Sequence, residues 1–314
     1  MNRPVKLAAV LGAGAVLMWT VTACEPPKAA VEASPSTAPV FTYTVNAAKG
    51  SDANRGSSAA PFKTITHALS VAVSGIWIRV LPGTYDGTNG EVFPLNVPAG
   101  VVLIGDEANK GAGTVPTIVQ GSGVVAGVLE ATIVPGAVST VAGFQVAGLV
   151  PAPANDSDLV YLAANNVTLR NNTLIGGNFN GIDIAGSSNH RISGNFVQSN
   201  AWAGLQFTFS GSGTRVESNT FTLNQFGVEF DAIGGDLGGG GTGSAGGNRI
   251  FCNSGYDVGT SLAAGSFSAQ NNTWDHAPLT SSTANPPPAG TDLYEPSAAT
   301  FDTTGASVVA NPCP

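Results

Sequence analysis

Apolar and polar side chains alternate along three short stretches in the second half of the chain. Ile182 and Ile184 flank Asp183; Leu205, Phe207 and Phe209 interleave with Gln206 and Thr208; Val228 and Phe230 flank Glu229, and Asp231 continues the polar side. A period of two belongs to a strand with one face in a core and the other turned outward. Each stretch opens on a glycine, and Gly181, Gly204 and Gly227 recur every 23 residues. A second phrase keeps nearly the same step: Asn172, Asn195 and Asn219 end short β-rich runs at intervals of 23 and 24. Asn272 repeats it, and Asn253 in Cys252-Asn253-Ser254 is a looser copy. Two interleaved phrases on one period, with no amphipathic helix between them, predict the stacked coils of a parallel β-helix.

One coil cannot bury its apolar face alone, so the stack supplies the core. The recurring Asn falls where a strand ends, and Asn172, Asn195, Asn219, Asn253 and Asn272 read as a structural ladder satisfying buried turn backbone. The step from Asn219 to Asn253 is 34, which predicts roughly ten inserted residues around Gly234–Gly247. Gly241-x-Gly243-x-x-Gly246 formally matches a dinucleotide fingerprint, but Asn248-Arg249-Ile250-Phe251 after it reads as a strand and no βαβ unit surrounds it. A turn or loop is expected there. Upstream, Ile76–Val80, Phe93–Val97, Val101–Ile104 and Thr117–Val119 read as strands between Gly and Pro turns. Thr64–Val73 reads as one helix burying Ile65, Ala68, Leu69, Ala72 and Val73, laid over the first coil to cover its strand edges, with His67 on its polar side.

Residues 1–24 read as a lipoprotein signal peptide: Arg3 and Lys6, an apolar run from Leu7 to Val21, then Val21-Thr22-Ala23-Cys24, which looks like a bacterial lipobox. Cleavage before Cys24 and acylation of its thiol are expected, the lipid holding the protein on a bilayer outside the cytoplasm. An ordinary secretory signal with a spare Cys is the alternative. Residues 25–40, rich in Pro, Ala and Ser, read as a flexible tether, and 41–314 as a single β-helix domain with an irregular C-terminal tail. With Cys24 lipidated, Cys252 and Cys313 remain, an even number in an oxidising compartment, and a bond between them is expected. Closing 61 residues contributes on the order of 4 kcal/mol. Two free thiols are the alternative. No Cys-x-x-Cys or His pair suggests a metal site. Of 12 Lys and Arg, two leave with the signal, against 20 Asp and Glu. That balance excludes nucleic acid as a partner and repels polyanionic glycans unless a cation bridges them.

The phrases Val45-Asn46-Ala47-Ala48-Lys49-Gly50-Ser51-Asp52-Ala53-Asn54-Arg55-Gly56, Ala60-Pro61-Phe62-Lys63-Thr64-Ile65, Leu81-Pro82-Gly83-Thr84-Tyr85, Phe93-Pro94-Leu95 and Val101-Val102-Leu103-Ile104-Gly105-Asp106-Glu107 come in an order of their own. As a set they resemble the bacterial domain-of-unknown-function family 1565, over residues 41–110 and more generally through the coils. The resemblance implies an all-β, right-handed parallel β-helix with a pectin-lyase-like fold and an envelope lipoprotein setting. It implies no activity, since the family is defined without one. Several polysaccharide lyases share the Gly50-Ser51-Asp52-x-Asn54-x-Gly56 and Pro61-Phe62-Lys63-Thr64-Ile65 phrases, and they add Asp residues holding Ca²⁺ and a Lys or Arg base. This chain departs from that pattern: no Lys follows Lys110, and Arg170, Arg191, Arg215 and Arg249 sit beside the Asn phrase, not the acidic positions.

Stacked coils place Asp183, Gln206 and Glu229 in one vertical row, with Asp183 and Glu229 roughly 10 Å apart and Asp231 about 7 Å along the strand from Glu229. Inverting glycosidases hold two carboxyls about 6.5–9.5 Å apart, so Asp183, Glu229 and Asp231 are the catalytic candidates. Gln206 and Trp202 are the candidate carbohydrate contacts, the indole offering a flat apolar face to a sugar ring. The simpler reading makes the row ordinary polar cover on a solvated face. Asn155-Asp156-Ser157-Asp158 is a weak Ca²⁺ candidate and a turn first; otherwise no cofactor is expected. His190 and His276 read as standing alone, and no nucleophile elbow is present. These features support first a surface-anchored, non-catalytic β-helix contacting carbohydrate or another envelope component. A polysaccharide hydrolase or lyase is the alternative, and a structural spacer or assembly module the third reading.

Overall fold

The computed structural model describes residues 42–150, 152, 154–309 and 313. The signal peptide, Cys24 and the tether expected over 1–40 lie outside the described residues. Among those described, the chain winds as a parallel β-helix of three long sheets with seven, nine and ten strands, and a separate two-stranded sheet pairs Ala264–Ser268 with Ala298–Asp302. A typical coil gives one short strand to each sheet in turn, for example Arg191–Ser193, Phe196–Gln198 and Ala203–Phe207. All sheet pairings are parallel except where Gly123–Ala126 folds back on Leu129–Pro135. Residues one coil apart are in register: Ile192 lies beside Val216, Val197 beside Phe221, and Leu205 beside Val228. These inward side chains are fully buried and make one continuous core, in which the Phe207 and Phe230 rings stack 4.6 Å apart.

Two Asn ladders hold the corners. In the first, Asn172, Asn195, Asn219 and Asn248 each direct backbone N–H and side-chain amide to the carbonyl oxygen of the next side chain at 2.9–3.0 Å, and Asn272 closes the ladder by donating to the Leu237 and Ala269 carbonyls. Asn253, expected here, belongs instead to a second ladder of Asn200, Asn224 and Asn253 at the corner between the second and third sheets. Asn248 therefore resets the interrupted interval to 29, only five more than the usual 24. The second ladder also explains the glycine phrase. A Cβ on Gly204 would lie 2.9 Å from Asn224 Nδ2 and 2.8 Å from the Gly227 carbonyl oxygen, so no larger residue fits.

The glycine-rich insert folds around a carboxylate. Asp236 accepts hydrogen bonds from the N–H groups of Gly238, Gly240 and Ser244 and from the Thr242 hydroxyl, leaving no cradle for a phosphate. Burial works to raise its pKa, but these donors hold it below the usual carboxylate range. The strand Arg249–Phe251 follows, as its sequence suggests. The insert takes the place of a first-sheet strand: Asp236 bridges Arg215, and Leu237 N–H donates to Ser268.

The helix spans Ile65–Val71, capped by Thr64, and packs against Tyr43–Val45 and Leu95–Val97. It stops earlier than expected because Ala72 is extended, which turns Val73 outward. Asp52 receives the Lys63 and Thr64 N–H groups, and Glu91 those of Ile65 and Thr66. The Gly50-Ser51-Asp52-x-Asn54 phrase is thus built into the helix start. The C-terminal tail is more regular than its proline content suggests, since Thr291–Tyr294 and Ser307–Val308 extend the third and second sheets and Ala298–Asp302 pairs with Ala264–Ser268. Cys252 and Cys313 are joined by a disulfide that ties the tail to the coils. No helix among the described residues is long and apolar enough to cross a membrane.

Candidate functional site

The third sheet aligns the acidic row in register. Tyr161 lies beside Asp183, Asp183 beside Gln206, Gln206 beside Glu229, Glu229 beside Gly259 and Gly259 beside Tyr294. The row is not solvated cover. Asp183 is 6 % exposed and Glu229 7 %, so the simple solubility reading fails. Over Glu229 runs a second line of side chains climbing the same coils. Phe179 stacks on Trp202, Trp202 meets Phe226 edge-on at 4.8 Å, Phe226 stacks on Tyr256, and Tyr256 on Tyr294. Gly259 leaves room for this: a Cβ there would sit 2.5 Å from the Tyr256 ring.

Glu229 is held between two of these aromatics. Its Oε2 accepts the Trp202 indole N–H at 2.8 Å and its Oε1 the Tyr256 hydroxyl at 3.0 Å. Burial, with the nearby Asp231 charge, pushes its pKa up to about 7. Burial likewise raises Asp183 to about 6, although Asp183 accepts a hydrogen bond from the Thr208 hydroxyl. Desolvation penalises the charged form in both, so each holds a proton nearer neutrality than a free carboxyl does.

Gln206 is committed to the protein. Its amide oxygen accepts from Asn180 Nδ2 at 2.8 Å and its Nε2 donates to Asp231 Oδ2 at 2.6 Å. Asp231 also takes the Ser261 hydroxyl at 2.6 Å. Gln206 therefore positions Asp231 and has its amide spoken for. Phe209, grouped by alternation with Leu205 and Phe207, is 75 % exposed because the strand ends at Phe207 and Thr208 turns back to Asp183.

Trp202, Phe226, Glu229, Tyr256, Ser261 and Tyr294, with Asn285, Pro286 and Pro287 of the tail opposite, enclose a cleft of about 350 Å³. Its size falls at the lower end of small-ligand pockets, and it joins aromatic faces to a protonatable carboxyl. The tail wall escaped sequence reasoning, because a proline run carries no sign of what it lies against. No third-sheet strand contains Lys or Arg. The cations of the coils are engaged elsewhere: Arg170 pairs with Glu107, Arg191 with Glu217, and Arg215 donates to the Thr242 carbonyl. Arg249 lies over the Phe251 ring.

The remaining candidates have partners within the protein. Asp158 is fully buried on the strand Ser157–Leu162, accepting from Asn180 N–H, while Asn155 donates to Glu130, so the two point to different partners and form no calcium loop. Burial and the Asp183 charge drive the Asp158 pKa well up. His190 does not stand alone: its ring accepts the Val167 N–H and meets the Ser187 hydroxyl, and burial lowers its pKa to about 4. His276 is also partnered, lying 2.8 Å from Asp275 and 3.1 Å from Asp292.

Fold and cleft together define a parallel β-helix of the pectin-lyase-like kind. The chain belongs to the family described as "Protein of unknown function (DUF1565)", whose model matches residues 48–281. No curated protein is similar to it in sequence. Among solved structures it is similar to the pectate lyase Pel9A, at 16% identity and a TM-score of 0.53, over 88% of this chain and 79% of that one. A rhamnogalacturonan lyase aligns at 15% identity and a TM-score of 0.48, over 87% of this chain and 88% of that one. The likeness to the pectate lyase concerns the fold alone.

Proposed function

We propose that this protein is an exported, lipid-anchored β-helix whose third-sheet cleft binds a glycan chain. The observation that carries the reading is the continuous aromatic line Phe179–Trp202–Phe226–Tyr256–Tyr294, whose last four members line one cleft together with Glu229 of the carboxyl row. Flat apolar rings next to hydrogen-bonding carboxyls suit the alternating apolar faces and hydroxyl edges of a sugar. The acidic balance of the chain and the absence of cations from the third-sheet strands favour a neutral glycan over a polyanionic one. Export and acylation at Cys24 rest on the leader sequence and would present the cleft to an envelope polysaccharide.

A specific observation favours hydrolysis as a second reading. Glu229, with its pKa pushed up to about 7, suits a general acid protonating a leaving oxygen, and Asp183 or Asp231 would serve as the base that activates water. Lyase chemistry has less support, since the row lacks a basic side chain to remove the proton. The test is a glycan-array screen of the purified protein with and without calcium, followed by product analysis on each ligand found. Retention of a neutral oligosaccharide that is lost in Trp202→Ala supports binding. Release of shortened products, abolished in Glu229→Gln, adds hydrolysis. No retention of any glycan overturns both readings and leaves a structural module.

A further inference from the structure

We propose that Asp275, His276 and Asp292 form a binding site for a divalent transition-metal ion, with Zn²⁺ the best fit to the donor set. The site lies apart from the glycan cleft, where the tail strand Thr291–Tyr294 meets the end of Thr273–Trp274. One ligand atom from each of the three residues lies within 4.8 Å of the other two. His276 Nδ1 stands 2.8 Å from Asp275 Oδ1 and 3.1 Å from Asp292 Oδ1, so the three donor atoms are clustered. One imidazole nitrogen with two carboxylate oxygens suits Zn²⁺ and its neighbours in the first transition row, whereas calcium and magnesium take oxygen alone.

The outer oxygens are already oriented. Asp292 Oδ2 accepts the Thr280 N–H and hydroxyl, each at 2.6 Å, and Asp275 Oδ2 accepts the Cys252 N–H at 2.8 Å. Such supporting bonds aim the free oxygen of a metal-binding carboxylate. The neighbouring cysteine sulfurs are consumed in the Cys252–Cys313 disulfide and are not ligands. His276, 44 % exposed, leaves a path for an ion to enter.

An independent observation is the state of Asp257. Tyr256 pairs with Thr291 and Val258 with Leu293, which puts Asp257 beside Asp292 on adjacent strands. Asp257 is 2 % exposed; its Oδ1 ends the second Asn ladder by accepting from Asn253, while its Oδ2 is buried without a hydrogen-bond partner. Asp275 Oδ1, the oxygen 2.8 Å from His276 Nδ1, is likewise buried and makes no hydrogen bond. Buried polar oxygens left without a partner are rare, and a bound cation supplies one. A divalent cation held by Asp275, His276 and Asp292 would order the tail alongside the disulfide.

The experiment strips the purified protein with a chelator and titrates it with Zn²⁺, following heat release and thermal unfolding. One equivalent of Zn²⁺ should bind and raise the Tm progressively with its concentration. Co²⁺ in its place should give a visible absorption band. His276→Ala, which removes a half-exposed ligand and spares the fold, should weaken binding by at least about tenfold and abolish the Co²⁺ band. Asp292→Asn should do the same, and Ca²⁺ should bind far more weakly than Zn²⁺. No Zn²⁺ binding by the unaltered protein, or binding fully retained in His276→Ala, overturns the proposal; the latter would place the ion elsewhere. Glycan binding does not enter these readouts, so failure of the cleft reading leaves them intact.

Discussion

Replacing Glu229 by Gln should stabilise the protein at alkaline pH and do almost nothing at acid pH. The Glu229 carboxyl moves from an ordinary 4.5 to about 7 in the fold, driven first by burial and then by Asp231. A group whose native pKa is raised contributes stability that is fully present below its unfolded pKa and is lost as pH rises through the folded one. The window here runs from pH 4.5 to about 7. Across it the native state keeps a proton that the unfolded chain has released. At about 1.36 kcal/mol per pKa unit, ionised Glu229 costs roughly 3 kcal/mol above that window. Gln cannot ionise, yet its amide oxygen can accept from Trp202 and its amide nitrogen can donate to the Tyr256 hydroxyl oxygen. Urea unfolding of wild type and Glu229→Gln, followed by tryptophan fluorescence, should show near-equal stability around pH 4.5 and a gain of roughly 2–3 kcal/mol for the variant around pH 8. A difference that does not change with pH, or a variant less stable at pH 8, refutes the reasoning.

Three further outcomes follow from the packing. Asn219→Ala removes the middle of the first ladder and leaves the Asn195 donors, the Ile192 carbonyl and Asn248 Oδ1 with lost bonds, so chemical denaturation should show a loss of roughly 3–5 kcal/mol. Gly204→Ala forces a Cβ to 2.8 Å from the Gly227 carbonyl oxygen and should cost roughly 1–3 kcal/mol or more by the same measurement. Reducing the Cys252–Cys313 bond, or replacing both cysteines by Ser, reopens a 61-residue separation and should lower stability by on the order of 4 kcal/mol in unfolding experiments under reducing conditions.

The periodic part of the molecule was legible because a coil repeats its physical problem every 23 residues. Alternation at Ile182–Ile184 and its copies marked the third sheet, and the Asn after each short run marked a corner. Asn248 was missed because it follows the glycine-rich insert and not a short β-rich run. The signal for the second ladder was present: Asn200, Asn224 and Asn253 step by 24 and 29, the same intervals that lead from Asn195 through Asn219 to Asn248. Burial of Asp183 and Glu229 was not legible. A period of two tells which side of a strand leaves the core; it says nothing about what lies over that side. Here Trp202 and Tyr256 come from the flanking turn and the next coil, and Pro286 and Pro287 from the tail. The Asp275–His276 pair meets Asp292 only through the parallel pairing of the tail strand, a relation that spacing alone does not encode.

The most direct measurement is the affinity of purified protein for oligosaccharides, compared between wild type, Trp202→Ala and Tyr256→Ala. If the cleft is the working surface, a neutral oligosaccharide binds wild type, and each truncation weakens it about tenfold or more, in keeping with the loss of one buried aromatic contact. Equal affinity in all three proteins, or no affinity in any, would contradict the assignment of function to the third-sheet cleft.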